Sequence, residues 1–370
     1  MGLANKADVW LQVRPGTDGA LALGLIHLLI HDGGYDREFV REWTNAPFLV
    51  RDDTGALLTG SDQDGAPGIG RRYVAAAEGS SVLIIYDAER GAYATDTSLA
   101  LNGARTVRLA DGRKVTCRPV FERLAVIAAD YEPGTVARIT GAPADKIVAA
   151  ARLLAEHRPV SHYFHNGLVQ HTNATQASRA IEILYALLGD FDRPGGNVPG
   201  PSPKVEDVSA RSALGQVMEL RRLGRTERPI GPPATPGTVT AYDLYRAILD
   251  GEPYPVRALV SFGANALLAN GDTLRGRRAL ERLEFFAQIE LVETPTSRFA
   301  DVLLPAASWM ECSALKVGNR YPHEAMAHVQ LRAAVVPPLY ERRSDVAIIF
   351  DLATRLGLGA EFWGGDVEAG

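Results

Sequence analysis

Cysteine is scarce. The 370 residues hold only Cys117 and Cys312, too few and too far apart for a disulfide framework. By themselves they cannot hold a structural zinc or an iron–sulfur cluster. No CxxC, HExxH or GxxxxGK[ST] pattern occurs, so metalloprotease and P-loop nucleotidase chemistry have no support. A basic excess is missing too. With 39 Lys and Arg against 44 Asp and Glu the net charge is −5, which argues against nucleic acid as a partner, because its phosphates call for dense cations. No apolar run is long enough to cross a bilayer: "ALALGLIHLLI" is too short and Gly33 and Gly34 soon follow it. The stretch "MGLANKADVW" lacks the charged-then-apolar layout of an export signal. The default expectation is therefore a cytoplasmic protein with no membrane segment of its own.

What is present reads as globular. Hydrophobic residues make up 46% and charged residues 22%, enough apolar material for a sizeable core. At ~100–200 residues per domain, the length suggests two or three domains. Residues 7–13, "ADVWLQV", read as a short strand, residues 14–18 as a turn, and residues 20–30 as a helix apolar on nearly every side. That is half of a βαβ unit. "FLVRDDTGALL" and "RTVRLADGRKVTCRPV" each set an Asp-Thr-Gly or Asp-Gly turn between β-prone arms, the layout of a hairpin. "SDQDGAPGIGRR" between them reads as a mobile loop. "APADKIVAAARLLAEH" predicts an amphipathic helix and "PVSHYFHN" a strand. "NATQASRAIEILYALLG" predicts another helix, with Asn173 as its cap, Gln176 placed to reach back, and Gly189 as its stop. "VRALVSFGANALLAN", "FFAQIELVET" and "ADVLLPAASW" supply further strands. The order predicts an α/β fold of two doubly wound, Rossmann-like lobes with parallel sheets and a β-hairpin-containing insertion. The expected divisions are 1–164, 165–311 and 312–370.

In such sheets ligands sit at the carboxyl ends of strands. The polar turns at residues 16–18, 166–170, 263–265 and 290–294 all occupy that kind of position. Amides, carboxylates and carboxamides from several strand ends suit an extended, polar, phosphate-bearing ligand. Each turn also has an ordinary reading. "PGTDG" can be a plain turn whose Asp18 caps the next helix, or a loop whose amides face a phosphate while Asp18 accepts from a base or ribose. Its spacing is not GxGxxG, which disfavours a nicotinamide site. Asn166 can be a turn residue and Asn173 a cap, whereas Gln170 and His171 have no structural duty legible in the sequence. His157, His162, His165 and His171 have no metal-ligand spacing. Glu290, Glu293 and Asp301 lie on or beside apolar strands, as solvated ends or as ligand contacts.

Taken in order, these stretches resemble the molybdopterin oxidoreductases of the dimethyl-sulfoxide-reductase family. The likeness runs through "RPGTDGALALGLIHLLI", "YDREFV", "ITGAPADKI", "NGLVQHTNATQASRAI", "GDFDRPGGNV", "FGAN", "ETPTSRFADVLLPAASWME" and "RSD". Each piece is weak alone; their order and separation make the set specific. The resemblance implies a bis(molybdopterin guanine dinucleotide) cofactor, bis-MGD, carrying molybdenum or tungsten. By position, Gly16, Thr17 and Asp18 match a loop on the nucleotide part of one pterin, and Asn166 and Gln170 match a segment near the metal centre. Asn265 matches the Asn of an Asn-Pro turn, with Ala266 in place of the proline. Glu290 and Asp345 match carboxylates that contact the cofactor, and Cys312 stands where some members have a cofactor-contacting Lys.

The family's cysteine cluster for a [4Fe–4S] centre and its metal-ligating Cys, selenocysteine or Ser lie upstream of the Gly-Thr-Asp loop. Its C-terminal dinucleotide-binding domain follows Asp345. The expectation is thus the central part of a larger catalytic subunit, inactive alone, with no metal ligand of its own, and with residues 312–370 leading toward a further domain. Its partners would be an iron–sulfur electron-transfer subunit and the remainder of its own subunit. The chemistry implied is two-electron or oxygen-atom transfer on a small substrate. His171, beside Gln170, is the one candidate for a substrate-side group. The rival expectation is a non-catalytic binding or scaffold subunit that keeps the fold without metal.

Overall fold

The computed structural model describes residues 2–65, 72–94, 97–200, 215–229, 231–234, 237–317 and 327–369. The chain forms two compact units, Met1–Pro199 and Gly200–Gly370. The class is mixed α/β, with antiparallel sheets in the first unit and both kinds in the second.

The first unit is built around α1, Asp18–His31, with Ile26 and Leu29 fully buried. A helix apolar all round needs neighbours on every side. It has them in α4 (Val120–Ala129), α5 (Pro133–Thr140), α6 (Ala144–Glu156) and α8 (Ala174–Leu188), while α2 (Arg37–Trp43) packs on α8. Gly24 permits this density, because a Cβ there would lie 2.6 Å from Val136 Cγ2. The short α3 (Gly60–Asp64) and α7 (Asn166–Val169) complete the α-helices described in this unit, which also has a 3-10 helix at Gly2–Lys6.

The expected insertion forms two small antiparallel sheets. One has the order β1-β6-β5, from Leu49–Arg51, Lys114–Pro119 and Arg105–Arg108. The other has the order β2-β3-β4, from Arg72–Ala76, Leu83–Asp87 and Ala92–Tyr93. Single antiparallel bridges at Phe48 with Ala75 and Thr59 with Tyr73 join them, and Leu49, Leu58, Val74, Val115 and Cys117 fill the space between. Both predicted hairpins form: Val50 faces Leu57, and Arg108 faces Lys114. Of the glycine-rich loop predicted after the first hairpin, residues 61–64 are helical and residues 66–71 lie outside the described residues.

Two predicted strands of this unit do not form. Residues 7–13 and 159–166 belong to no ladder among the described residues. Their composition suits a strand, but a strand exists only where a neighbour offers its backbone groups.

The second unit holds the parallel sheet, in the order β7-β8-β9, from Ala258–Phe262, Phe285–Glu290 and Val302–Pro305. The central β8 is the most buried of the three, as parallel strands are when both faces are covered. The helices α9 (Gln216–Leu220), α10 (Ala241–Leu249), α11 (Ala266–Ala269) and α12 (Thr273–Arg282) precede or join its strands. Leu267 of α11 and Leu280 of α12 pack on Phe286. On the other face, Ile348 of α13 (Asp345–Arg355) meets Ile289 and Ala306. An antiparallel pair, β10 (Ala314–Val317) with β11 (Val329–Arg332), lies between the sheet and α13 in sequence.

Candidate functional site

The Gly-Thr-Asp loop is held from both sides. Arg14 donates from its backbone N–H to the Thr140 carbonyl (2.8 Å) and from Nη1 to the carbonyls of Arg138 (2.8 Å) and Ile139 (2.9 Å), all at the end of α5. Thr17 turns back on the Arg14 carbonyl through its Oγ1 (2.7 Å). Gly16 between them has φ +82°, a backbone state open to glycine at no steric cost. Across the loop, Asn173 donates from Nδ2 to the Gly16 carbonyl at 3.0 Å. The result is a shallow, widely open cleft of about 800 Å³ lined by Pro15, Gly16, Val169, Gln170, His171, Thr172 and Asn173.

Two anticipated caps are not made. Thr17, not Asp18, occupies the cap position of α1, and its carbonyl takes the first helical bonds, from Ala20 and Leu21. Asp18 stands one residue inside the helix and makes no cap there. Asn173 does occupy the cap position of α8, but at φ −105°, ψ 18° it is outside the extended geometry of a capping residue. Its carboxamide serves Gly16 instead. Gln176 accordingly closes no capping box, and its Oε1 accepts from Arg179. The consequence is chemical. The amino ends of α1 and α8 come together, a Cβ on Gly19 falling 3.4 Å from the Ala177 Cα. Neither end carries a side-chain cap, so their partial positive charge faces outward.

The remaining candidates of this unit lie on the adjoining turn. Asn166 opens α7 and Gln170 closes it, the Gln170 N–H donating to the Asn166 carbonyl at 3.1 Å. Gln170 lines the cleft, and Asn166 is not part of its wall. The His171 ring is hydrogen-bonded through Nε2 to the Gly167 carbonyl at 2.9 Å, and its Nδ1 lies on the Gly16 side.

In the second unit, Asn265 and Glu290 are at the carboxyl ends of β7 and β8. Asn265 Oδ1 accepts from Thr296 Oγ1 (2.8 Å), and that hydroxyl in turn accepts from the Leu267 N–H (3.1 Å). The Glu290 carboxylate is engaged only by the Leu291 N–H among the described residues (2.8 Å). Asp301, by contrast, sits at the amino end of β9 and accepts from the Phe286 N–H at 2.7 Å. It anchors the start of the sheet, opposite the strand ends that gather ligand loops. Asp345 is the first residue of α13, exposed, beside Ser344, whose Oγ caps that helix through the Ala347 N–H.

Three carboxylates that no sequence motif singles out are buried: Asp190, Glu311 and Asp243, the last paired with Arg228. Asp190 is fully buried and accepts from Arg158 Nη2 (2.9 Å) and the Val160 N–H (2.9 Å). Its carbonyl accepts from Tyr185, whose oxygen accepts from the Asn197 N–H. Glu311 is 3% exposed and accepts from the N–H groups of Ser308 (2.8 Å) and Leu339 (3.0 Å) and from Arg342. Those donors, Ser308 first, hold its carboxyl down at about 2. Of the cysteines, burial pushes the Cys117 thiol up to about 11, unsuited to a thiolate ligand. Cys312 donates to the Ser308 carbonyl at 3.3 Å.

The strand-end loops, the outward-facing helix amino ends and the order of the motifs agree with one family, and its sequence model, described as molybdopterin oxidoreductase, matches residues 3–355. The chain belongs to the molybdopterin oxidoreductase family. A dopamine dehydroxylase of Eggerthella lenta is 30% identical over 442 residues, covering 96% of this chain and 43% of that protein. A putative catalytic subunit of dimethyl sulfoxide reductase from Halobacterium salinarum is also 30% identical, covering 97% of this chain and 40% of its own length. Among solved structures, acetylene hydratase from Pelobacter acetylenicus superposes with a TM-score of 0.67 at 22% identity, over 98% of this chain and 42% of that one. The chain thus spans less than half the length of these relatives. Family membership implies a molybdenum–pterin cofactor. Among the described residues, no helix is long and apolar enough to cross a membrane.

Proposed function

We propose that this chain supplies walls of the cofactor pocket in the catalytic subunit of a molybdenum or tungsten oxidoreductase, and that the group it holds is bis-MGD. The observation that carries this reading is the cleft at Gly16. There, Gly16 with no side chain, the cap position of α8 at Asn173 and the polar groups of Gln170 and His171 face one space, beside the uncapped amino end of α1. Peptide N–H groups at helix amino ends suit a pyrophosphate. Gly16 keeps side-chain bulk out of its path. Within the first unit Asp18, and separately within the second Glu290 and Asp345, offer carboxylate acceptors for the N–H and O–H groups of a guanine or a ribose, and Asn265 is held ready by Thr296. The donor set therefore fits the organic part of the cofactor.

When bound, the group supplies two-electron or oxygen-atom transfer on a small substrate. The residues of this chain bind and orient it. Gln170 and Asn166 belong to the turn nearest the reacting centre, and His171, held by Gly167, presents a ring nitrogen that can donate or accept a hydrogen bond to substrate. An iron–sulfur subunit, together with the rest of the catalytic subunit, completes the electron path.

The test is direct. Titration calorimetry of the full chain with GDP, a probe for the nucleotide part, is expected to show binding that Gly16→Asp weakens by removing the contribution of the Gly16 cleft. Binding unchanged by Gly16→Asp would sink the reading. Molybdenum analysis of chain purified from a cofactor-producing host separates two roles. Nucleotide binding without metal uptake is expected if residues beyond these 370 are needed to retain the metal.

A further inference from the structure

Glu311 has no part in the pocket walls described above, yet it is among the few charged side chains fully withdrawn from solvent. Burying a carboxylate is costly unless every lone-pair direction meets a donor. Here Oε2 accepts from the Ser308 N–H and Oε1 from the Leu339 N–H, while Arg342 Nη1 lies 3.1 and 3.3 Å from the two oxygens. One carboxylate thereby ties the loop at residues 308–313 to the strap at residues 339–343. The strap continues directly into the sheet's edge and then into a helix. Arg343 donates to the Pro305 carbonyl (3.2 Å) and accepts from the Ala307 N–H (2.8 Å), extending β9 by one parallel bridge at Ala306. Ser344 then caps α13, and Asp345 follows as its first residue. The Asp345 side chain is exposed, so its position is set by the backbone that carries it.

We infer that Glu311 is a positioning residue for Asp345: it fixes the strap and so the place at which Asp345 presents its carboxylate to a guanine nucleotide. The inference rests on the reading that Asp345 contacts the cofactor. An alternative role, simple stabilisation of the loop at 308–313, predicts no dependence on Asp345.

A double-mutant cycle on the full chain decides between them, with GDP as the probe and titration calorimetry as the readout. Asp345→Asn is expected to weaken GDP binding about ten-fold, the scale of one charge-assisted hydrogen bond. Glu311→Gln should weaken it several-fold and speed hydrogen exchange at the amides of residues 339–347. The double variant should bind no more weakly than Asp345→Asn alone. Multiplying losses in the double variant would overturn the proposal, as would unchanged binding in Glu311→Gln, while the cofactor reading would stand in both cases. Unchanged binding in Asp345→Asn would overturn the cofactor reading and the proposal with it. If Glu311→Gln does not fold, Arg342→Gln, which leaves both backbone donors in place, carries the same cycle.

Discussion

Two extended segments lead to candidate cofactor loops, one in each unit, and they are held by different means. In the second unit β8 runs between β7 and β9, paired on both sides from Phe285 to Glu290, and delivers Glu290 at its carboxyl end. In the first, residues 158–165 lead to Asn166, Gln170 and His171 with no strand beside them among the described residues. Side chains replace the ladder. Asp190 takes the Val160 N–H, and the Asn197 carboxamide accepts from the His162 N–H (2.6 Å) and donates to its carbonyl (2.8 Å), much as a neighbouring strand would. A backbone ladder tolerates most sequences because its bonds come from every residue. A side-chain ladder depends on a few named groups, so single substitutions should expose the contrast.

The largest effect is expected at Asp190. Asp190→Ala removes the nearer of the two carboxylate partners of Arg158, which is 25% exposed and keeps Asp36 at 3.4 Å, and strands the Val160 N–H. A loss of about 3 kcal/mol in urea unfolding is expected, the lower end for breaking a buried pair because Arg158 keeps some water. Gly196→Ala should follow closely. A Cβ there would fall 1.8 Å from the Asp190 carbonyl oxygen, so the turn must move, at about 2–3 kcal/mol.

In the second unit, Glu311 gives a pH signature. Its carboxyl lies at about 2, against an ordinary 4.5, so its contribution is complete above pH 4.5 and is lost as the pH falls through about 2. The stability difference between the native chain and Glu311→Gln should therefore shrink between those limits. A constant difference would mean the carboxylate charge is not what the clamp uses. Smaller still is Gln288→Leu, in the middle of β8. Gln288 is fully buried, with Nε2 donating to the Ala264 carbonyl (3.0 Å) and Oε1 unpartnered among the described residues. Losing one bond and one unsatisfied acceptor together should change stability by less than about 1 kcal/mol. A loss equal to that of Asp190→Ala would erase the contrast between the two kinds of support.

Much of the fold was legible in the residues. The apolar run at 20–30 had to be a buried helix, and "VRLADGRKV" had to turn back on itself. "FFAQIEL" and "ADVLLP", short and β-rich, had to lie in a parallel core. These follow from local periodicity and turn chemistry, which act within a few residues. The strands expected at 7–13 and 159–166 show where that reasoning ends, since strand pairing depends on chain far away in sequence. The candidate site divides the same way. Gly16 was conspicuous because the turn requires it. That Asn173 would forgo its cap to hold Gly16, 157 residues away, was not legible, because both choices satisfy the same carboxamide.

The sequence by itself determined the family, the helix and hairpin elements and the types of residue at strand ends, because composition, period and motif order are local or linear properties. Only the tertiary structure decided which polar groups meet. It joined Asn173 to Gly16, left the amino ends of α1 and α8 uncapped, moved Asp301 to the structural end of the sheet, and buried Asp190 and Glu311 as clamps. A carboxylate or carboxamide has several possible partners of similar strength, and which one it takes is set by what folding brings within about 3 Å.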